Sequence, residues 1–176
     1  MSIDYISREV ERIRKKYDEK DPRRLCRAMG IALIFKPMGK GPEACKGFYL
    51  LQSRKQAIVV NSDLSEELQS VIIMHEIGHA VLHRQSSGLK SFHDFAIFDS
   101  TSVYEYEANL FAADYYLEDD EVLGLLNQDL SFFQMASLQK VPAELLDFKF
   151  RALKRKGYQV FEPPILANAD FLKNVE

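Results

Sequence analysis

Residues 71–85 read VIIMHEIGHAVLHRQ. An apolar stretch that suits a buried helix is interrupted by His75, Glu76, His79 and His83. Of the four histidines in the chain, these three follow one another at four-residue intervals. On an α-helix, positions four apart lie about 40° apart and one turn along, so their side chains share a face. A carboxylate and a row of imidazoles in such a helix carry a desolvation cost that only a partner can offset. The segment therefore calls for a helix buried on most sides, with a polar stripe facing something other than hydrocarbon.

His75-Glu76-Ile77-Gly78-His79 has the spacing H-E-x-x-H. Two imidazoles one turn apart reach a single ion, and zinc takes nitrogen ligands in a tetrahedral shell that keeps one position open in catalytic sites. Glu76 adjoins the first ligand and turns towards that open position. There it can take a proton from a water activated by the metal and pass it to a leaving amine. Gly78 costs a helix ~1 kcal/mol relative to alanine, which points to close packing against another backbone.

His75 and His79 leave the metal shell short of a third protein ligand. The pattern H-E-x-x-H-x-x-G-x-x-H is excluded, because positions 82 and 85 hold leucine and glutamine. The remaining candidates are His83, His93, Asp94, Asp99, Glu105 and Glu107. His83 stacks on the face of His79 but is too far round and along to share an ion with both. It is expected as a partly buried residue supporting the ligands. In the helical stretch 104–118, Glu105 and Asn109 share a face, which Ala112 and Ala113 continue with side chains small enough for a second helix to approach. Glu105 is thus the expected third ligand. Asn109 would hold a histidine in its ligating tautomer. Glu107 points the other way, with Leu110, Phe111 and Asp114, and stays as the alternative ligand. An oxyanion donor would come from Tyr104, Tyr106 or His93.

The flanks supply a small sheet and more helices. Ile3, Ile6, Val10, Ile13 and Tyr17 form a helical stripe in residues 3–20. Asp21, Pro22 and Gly30 read as cap, first position and stop of a short helix. Three strand-like segments follow at 31–37, 46–52 and 56–62, the last two joined as a hairpin and the first two by a flexible loop. One of the last two is the expected edge on which an extended substrate would pair. The central helix spans 65–84, capped by Ser62 or Ser65, and 85–102 reads as a surface loop. Two short helices and a long one, from Pro142 to Gly157, complete the pattern before an extended tail. The fold class is α+β, in one domain over 1–176: helices and sheet in 1–64, metal-site helices in 65–118, and C-terminal helices and tail in 119–176.

A net charge of −3 argues against wholesale coating of nucleic acid. No apolar run reaches the ~18 residues of a membrane span. The densely charged first twenty residues do not resemble a secretory signal, and Cys26 and Cys45 read as reduced thiols, so a cytoplasmic location is expected. The aromatics Phe132, Phe133, Phe148, Phe150, Tyr158 and Phe161 read most simply as core.

The segment HEIGHAVLH followed by YEYEANLFAADYYL resembles the ImmA/IrrE family of metallo-endopeptidases. The family's second motif, E-x-x-A-(D/N/S)-x-F-A, falls on Glu105 to Ala112. The resemblance extends upstream to DPRRLCRAMGIALIF and downstream to QKVPAELLDFKF, which is similar to the family's degenerate helix-turn-helix ending. It implies a gluzincin-like, zincin-like fold, with a small sheet, the H-E-x-x-H helix and a glutamate helix beside it. It also implies Zn²⁺, peptide hydrolysis, and a helix-turn-helix repressor of a mobile element or stress response as the protein partner. This chain has Tyr-Tyr-Leu-Glu at 115–118 where many members have Leu-Leu-Met-Pro, so the resemblance does not define the wall of the substrate cleft. The competing expectation is a non-proteolytic regulatory module with a structural zinc, in which Lys149, Arg151, Lys154, Arg155 and Lys156 meet phosphates. The simpler reading leaves those five bases in water at a helix C-terminus, with no nucleic acid bound directly.

Overall fold

The computed structural model describes residues 1–41, 43–83 and 101–173, with backbone alone for residues 101 and 102. The fold is α+β. Among the described residues the order is α1 (Ile3–Tyr17), α2 (Pro22–Met29), β1 (Ile31–Lys36), β2 (Gly47–Gln52), β3 (Lys55–Asn61), α3 (Glu66–Leu82), α4 (Thr101–Tyr116), α5 (Asp119–Leu126), α6 (Phe132–Leu138) and α7 (Ala143–Arg155). A 3-10 turn, Phe171–Lys173, follows.

Local chemistry sets the early boundaries. Ile6, Val10 and Ile13 are the buried stripe of α1. The Asp21 carboxylate accepts the Arg24 backbone N–H at 2.9 Å, and Gly30 ends α2 at φ 70°. Ser65 is the cap of α3, its hydroxyl accepting the Leu68 N–H at 3.3 Å.

β3 lies in the middle of the sheet, parallel to β1 and antiparallel to β2. The β2–β3 hairpin turns through Ser53 and Arg54, both at positive φ (48° and 68°), as the two-residue turn that matches strand twist requires. The loop from β1 to β2 is pinned rather than flexible. Buried Asn61 donates to the Gly39 and Cys45 carbonyls and accepts from the Met38 and Asp63 backbone N–H groups.

α3 is the centre of the molecule. Every residue from Leu68 to Gly78 is buried, as expected of a helix enclosed on all sides. The sheet covers one side. A Cβ on Gly47 of β2 would lie 2.6 Å from Ile72 of α3, so only glycine lets that strand settle onto the helix. α4 covers the opposite side and packs in turn on α1 and α7.

Of the five bases at the end of α7, Lys149, Arg151 and Lys156 are drawn inward, while Lys154 and Arg155 stay exposed to water as the simpler reading expects. Lys149 is fully buried, with its ammonium 2.8 Å from Asp114 and 2.5 Å from Asp119. Lys156 reaches the same two carboxylates. Arg151 pairs with Asp147, Lys154 with Glu162 and Arg155 with Asp4. Lys149 and Lys156 look solvated in the sequence because their partners Asp114 and Asp119 lie far away along the chain. The order α6, turn, α7 follows the helix-turn-helix pattern, yet α7 buries Leu145 to Phe150 without a break, so no broad face of it is left to enter a groove. The aromatic cluster also divides. Phe132, Phe148 and Phe150 are core, whereas Phe133, Tyr158 and Phe161 are exposed. The tail docks back on α7, with Ala167 N–H donating to Asp147 and the Arg151 guanidinium to the Ala167 carbonyl.

Asp114 collects Ser7, Lys149 and Lys156 in one buried network. Burial alone would raise its carboxyl. The Lys149 charge and the lysine hydrogen bonds outweigh that and hold it at about 2, below the ordinary 3.8. A depressed carboxyl contributes stability that is present above its unfolded value and lost as pH falls through its folded one. Asp114 should therefore drive acid unfolding between about pH 4 and pH 2. Asp114→Asn is expected to cost about 3 kcal/mol at pH 7 and to flatten that acid limb. Urea unfolding across pH checks both, and a wild-type pH profile in the variant would refute the assignment.

Candidate metal centre

α3 and α4 meet where both are smallest. A Cβ on Gly78 would stand 3.1 Å from the Ala108 carbonyl oxygen and 3.2 Å from its Cα. Ala108, Ala112 and Ala113 are all fully buried along the contact. The glycine expected to pack on a backbone does so, and the contact brings Glu105 over the histidines.

His75 Nε2 lies 3.0 Å from His79 Nε2 and 3.1 Å from Glu105 Oε2, and His79 Nε2 lies 3.3 Å from Glu105 Oε1. A tetrahedral shell with metal–ligand bonds of about 2.0–2.1 Å has edges of roughly 3.3 Å. The three side chains thus bring ligand atoms together at a spacing that fits one ion. Glu105 is held well below the usual carboxylate range. Burial opposes this, and the contacts with His75 and His79 prevail. An anionic oxygen beside two imidazole nitrogens is a donor set suited to a zinc-like divalent ion.

Glu76 is buried beside this cluster. Burial pushes its carboxyl up to about 7, against the pull of His79 and of the Tyr49 backbone hydrogen bond, while the Glu105 charge adds to the rise. A carboxyl poised near neutrality can both accept and give up a proton. The contact with Tyr49 also ties Glu76 to β2, an edge of the three-stranded sheet. β3, the other segment expected as an edge, is the central strand.

His83 caps the C-terminus of α3 and is buried. Its Nδ1 lies 3.1 Å from His79 Nδ1, and its Nε2 lies 2.9 Å from Glu107 Oε2. Burial, with the neighbouring His79 adding, pushes the ring down to about 4. Glu107, expected to point away from Glu105, also reaches α3. It is buried against His83 and pairs with the Met1 amino group. Two carboxylates two residues apart both reach α3 because His83, at φ −117°, has already left the helical path. Nothing local in the sequence reveals the Met1 contact.

Asn109 sits one turn beyond Glu105. Its side-chain N–H donates to the Ala169 carbonyl at 2.5 Å. Its Oδ1 and His75 Nδ1 are buried without hydrogen-bond partners among the described residues. The two atoms are complementary, one an acceptor and the other a donor whenever Nε2 binds a metal. Tyr104 presents its ring edge to His83, with centroids 4.7 Å apart, whereas Tyr106 is spent on Phe148 and Arg151. His93, Asp94 and Asp99 lie outside the described residues, as does most of the expected loop over 85–102.

A small mixed sheet over a buried H-E-x-x-H helix, with a glutamate from the next helix, defines a zincin-like fold. Residues 26–151 match the profile of the peptidase M78 family, described as the IrrE N-terminal-like domain, and the chain belongs to that family. It is also 33% identical over 144 residues to "Uncharacterized immunity region protein 2" of Bacillus phage phi105, a match covering 82% of this chain and 88% of that protein. No helix among the described residues is long and apolar enough to cross a membrane.

Gly78→Ala gains helix propensity yet forces a methyl against the α4 backbone. It is expected to destabilise by about 1–3 kcal/mol, read as a lower urea midpoint at unchanged slope. A midpoint at or above wild type would show that α4 yields without cost.

Proposed function

We propose that this chain is a zinc-dependent endopeptidase that cuts a helix-turn-helix repressor at a specific site. His75, His79 and Glu105 hold the metal, and Glu76 is the catalytic acid–base. The observation that carries the reading is the meeting of three ligand atoms at 3.0–3.3 Å with a buried carboxyl beside them. Family membership supports a metal and a peptidase. When bound, the ion supplies Lewis acidity, polarising a carbonyl and acidifying water.

The remaining chemistry falls to the chain. Glu76 takes a proton on its carboxylate as water attacks the scissile carbonyl. It then delivers that proton to the leaving amide nitrogen. Its burial keeps the proton out of bulk water, and its hydrogen bond to the Tyr49 N–H fixes where the carboxylate sits. An extended segment of substrate pairs along β2, which runs beside that carboxylate. The repressor as substrate is supported by the ImmA/IrrE resemblance and by the immunity-region name of the phage relative. On this reading residues 1–176 act as one metallopeptidase domain in the cytoplasm.

The regulatory-module reading rested on the bases of α7. Lys149 is buried and Arg151 and Lys156 are paired inward, which leaves only Lys154 and Arg155 exposed among those bases and weakens that support.

The test pairs metal content with cleavage. Wild-type protein should carry about one zinc per chain and cut a co-expressed helix-turn-helix repressor from its own genome. Glu76→Gln should keep the metal while the cleavage rate falls by about 10²–10⁴-fold. His75→Ala should lose both. Cleavage by Glu76→Gln at the wild-type rate would remove Glu76 from its role, and a wild-type chain that takes up no zinc at neutral pH would remove the metal reading.

A further inference from the structure

The third histidine of the opening motif takes no part in the chemistry above, yet it is buried and bonded at both ring nitrogens. A ligand histidine usually passes its second N–H directly to a carboxylate or a carbonyl. His79 instead has another imidazole at that position. His83 Nδ1 faces His79 Nδ1 at 3.1 Å, and His83 Nε2 faces Glu107 Oε2 at 2.9 Å.

The proton positions follow from the partners. Carboxylate oxygens only accept, so His83 Nε2 carries its ring's proton and donates to Glu107. His83 Nδ1 is then a lone pair. His79 Nε2 points at His75 and Glu105, where a metal ligand needs a lone pair, so the His79 proton sits on Nδ1. That N–H meets the His83 lone pair. With one proton on each ring, no other distribution satisfies all three contacts.

We propose that His83 and Glu107 form a two-step relay that fixes the tautomer and ring orientation of His79, making His83 a positioning residue for the metal. The relay explains why α4 contributes two carboxylates so close together, Glu105 half-buried and Glu107 buried. Glu105 meets the ion and Glu107 sets the histidine behind it. It also makes the two ligand histidines unequal, since His75 Nδ1 has no such partner among the described residues. The Tyr104 ring, edge-on to His83, holds the relay from the outside.

The inference rests on the metal reading, and the test separates the two. Zn²⁺ affinity is measured by chelator competition, and Co²⁺ loading is followed by visible absorption. Wild type binding neither ion would overturn the metal reading and the relay with it. If wild type binds, His83→Leu should weaken Zn²⁺ by about 10–100-fold and shift the Co²⁺ bands. His83→Gln, whose amide can both accept from His79 and donate to Glu107, should recover most of the affinity and the spectrum. The His79 Nδ1–H should appear as a slowly exchanging imidazole proton in Zn²⁺-loaded wild type and disappear in His83→Leu. A His83→Leu protein with wild-type Zn²⁺ affinity and an unchanged Co²⁺ spectrum would overturn the relay alone. So would failure of His83→Gln to recover either property.

Discussion

The near-contact of two helix backbones at Gly78 and Ala108 is the constraint on which the rest depends. α3 carries two imidazoles and a carboxyl inside a helix with almost no exposed surface. Those groups are tolerable there only if α4 delivers Glu105 to within hydrogen-bond distance of both rings. A larger residue at position 78 would hold α4 away. On the other side, Gly47 lets β2 lie against Ile72, and the same strand meets Glu76 through the Tyr49 N–H. Two glycines thus set the spacing of three layers, and the candidate site occupies the seam between them.

Among the described residues, two clusters of charged groups at the two ends of α4 are balanced differently. At the metal centre, an ion would offset the desolvation of His75, His79 and Glu105. At the foot of α4, Asp114 is balanced by Lys149 and Lys156 within the chain itself. Both draw on the same helix. One end of α4 serves chemistry and the other serves cohesion, with alanines and a phenylalanine in between. Isolated buried charges are costly while paired ones roughly break even, so the network's effect is to fix how α1, α4, α5 and α7 meet.

Features set by neighbours in sequence were legible from it. The caps at Asp21 and Ser65, the hairpin turn and the stripe of α1 follow from local rules. The placement of Glu105 followed from its four-residue spacing to Asn109 and from the small residues beyond. Long-range partnerships were not legible. Lys149 reads as a solvated base because Asp114 lies 35 residues away. Glu107 reads as pointing away from Glu105 because neither Met1 nor the departure of His83 from the helix is visible in helical spacing. In the sheet β1-β3-β2, Asn61 ties down a loop that composition alone describes as flexible. Periodicity reports which face of an element is apolar. It does not report which distant group that face will find.

The Asp114 network also has a consequence in time. Its members come from Ser7, near the start of the chain, and from Lys149 and Lys156, far along it. A ribosome delivers α3 and α4 well before α7. Until residue 149 has emerged, the Asp114 carboxylate has neither lysine opposite it, and α4 lacks the element that clamps its far end. Contacts of such long sequence separation form late, after their loop-closure entropy has been met. The far end of the helix that presents Glu105 is thus clamped only after α7 has emerged. A nascent chain therefore carries the whole H-E-x-x-H motif before the far end of α4 has its partners.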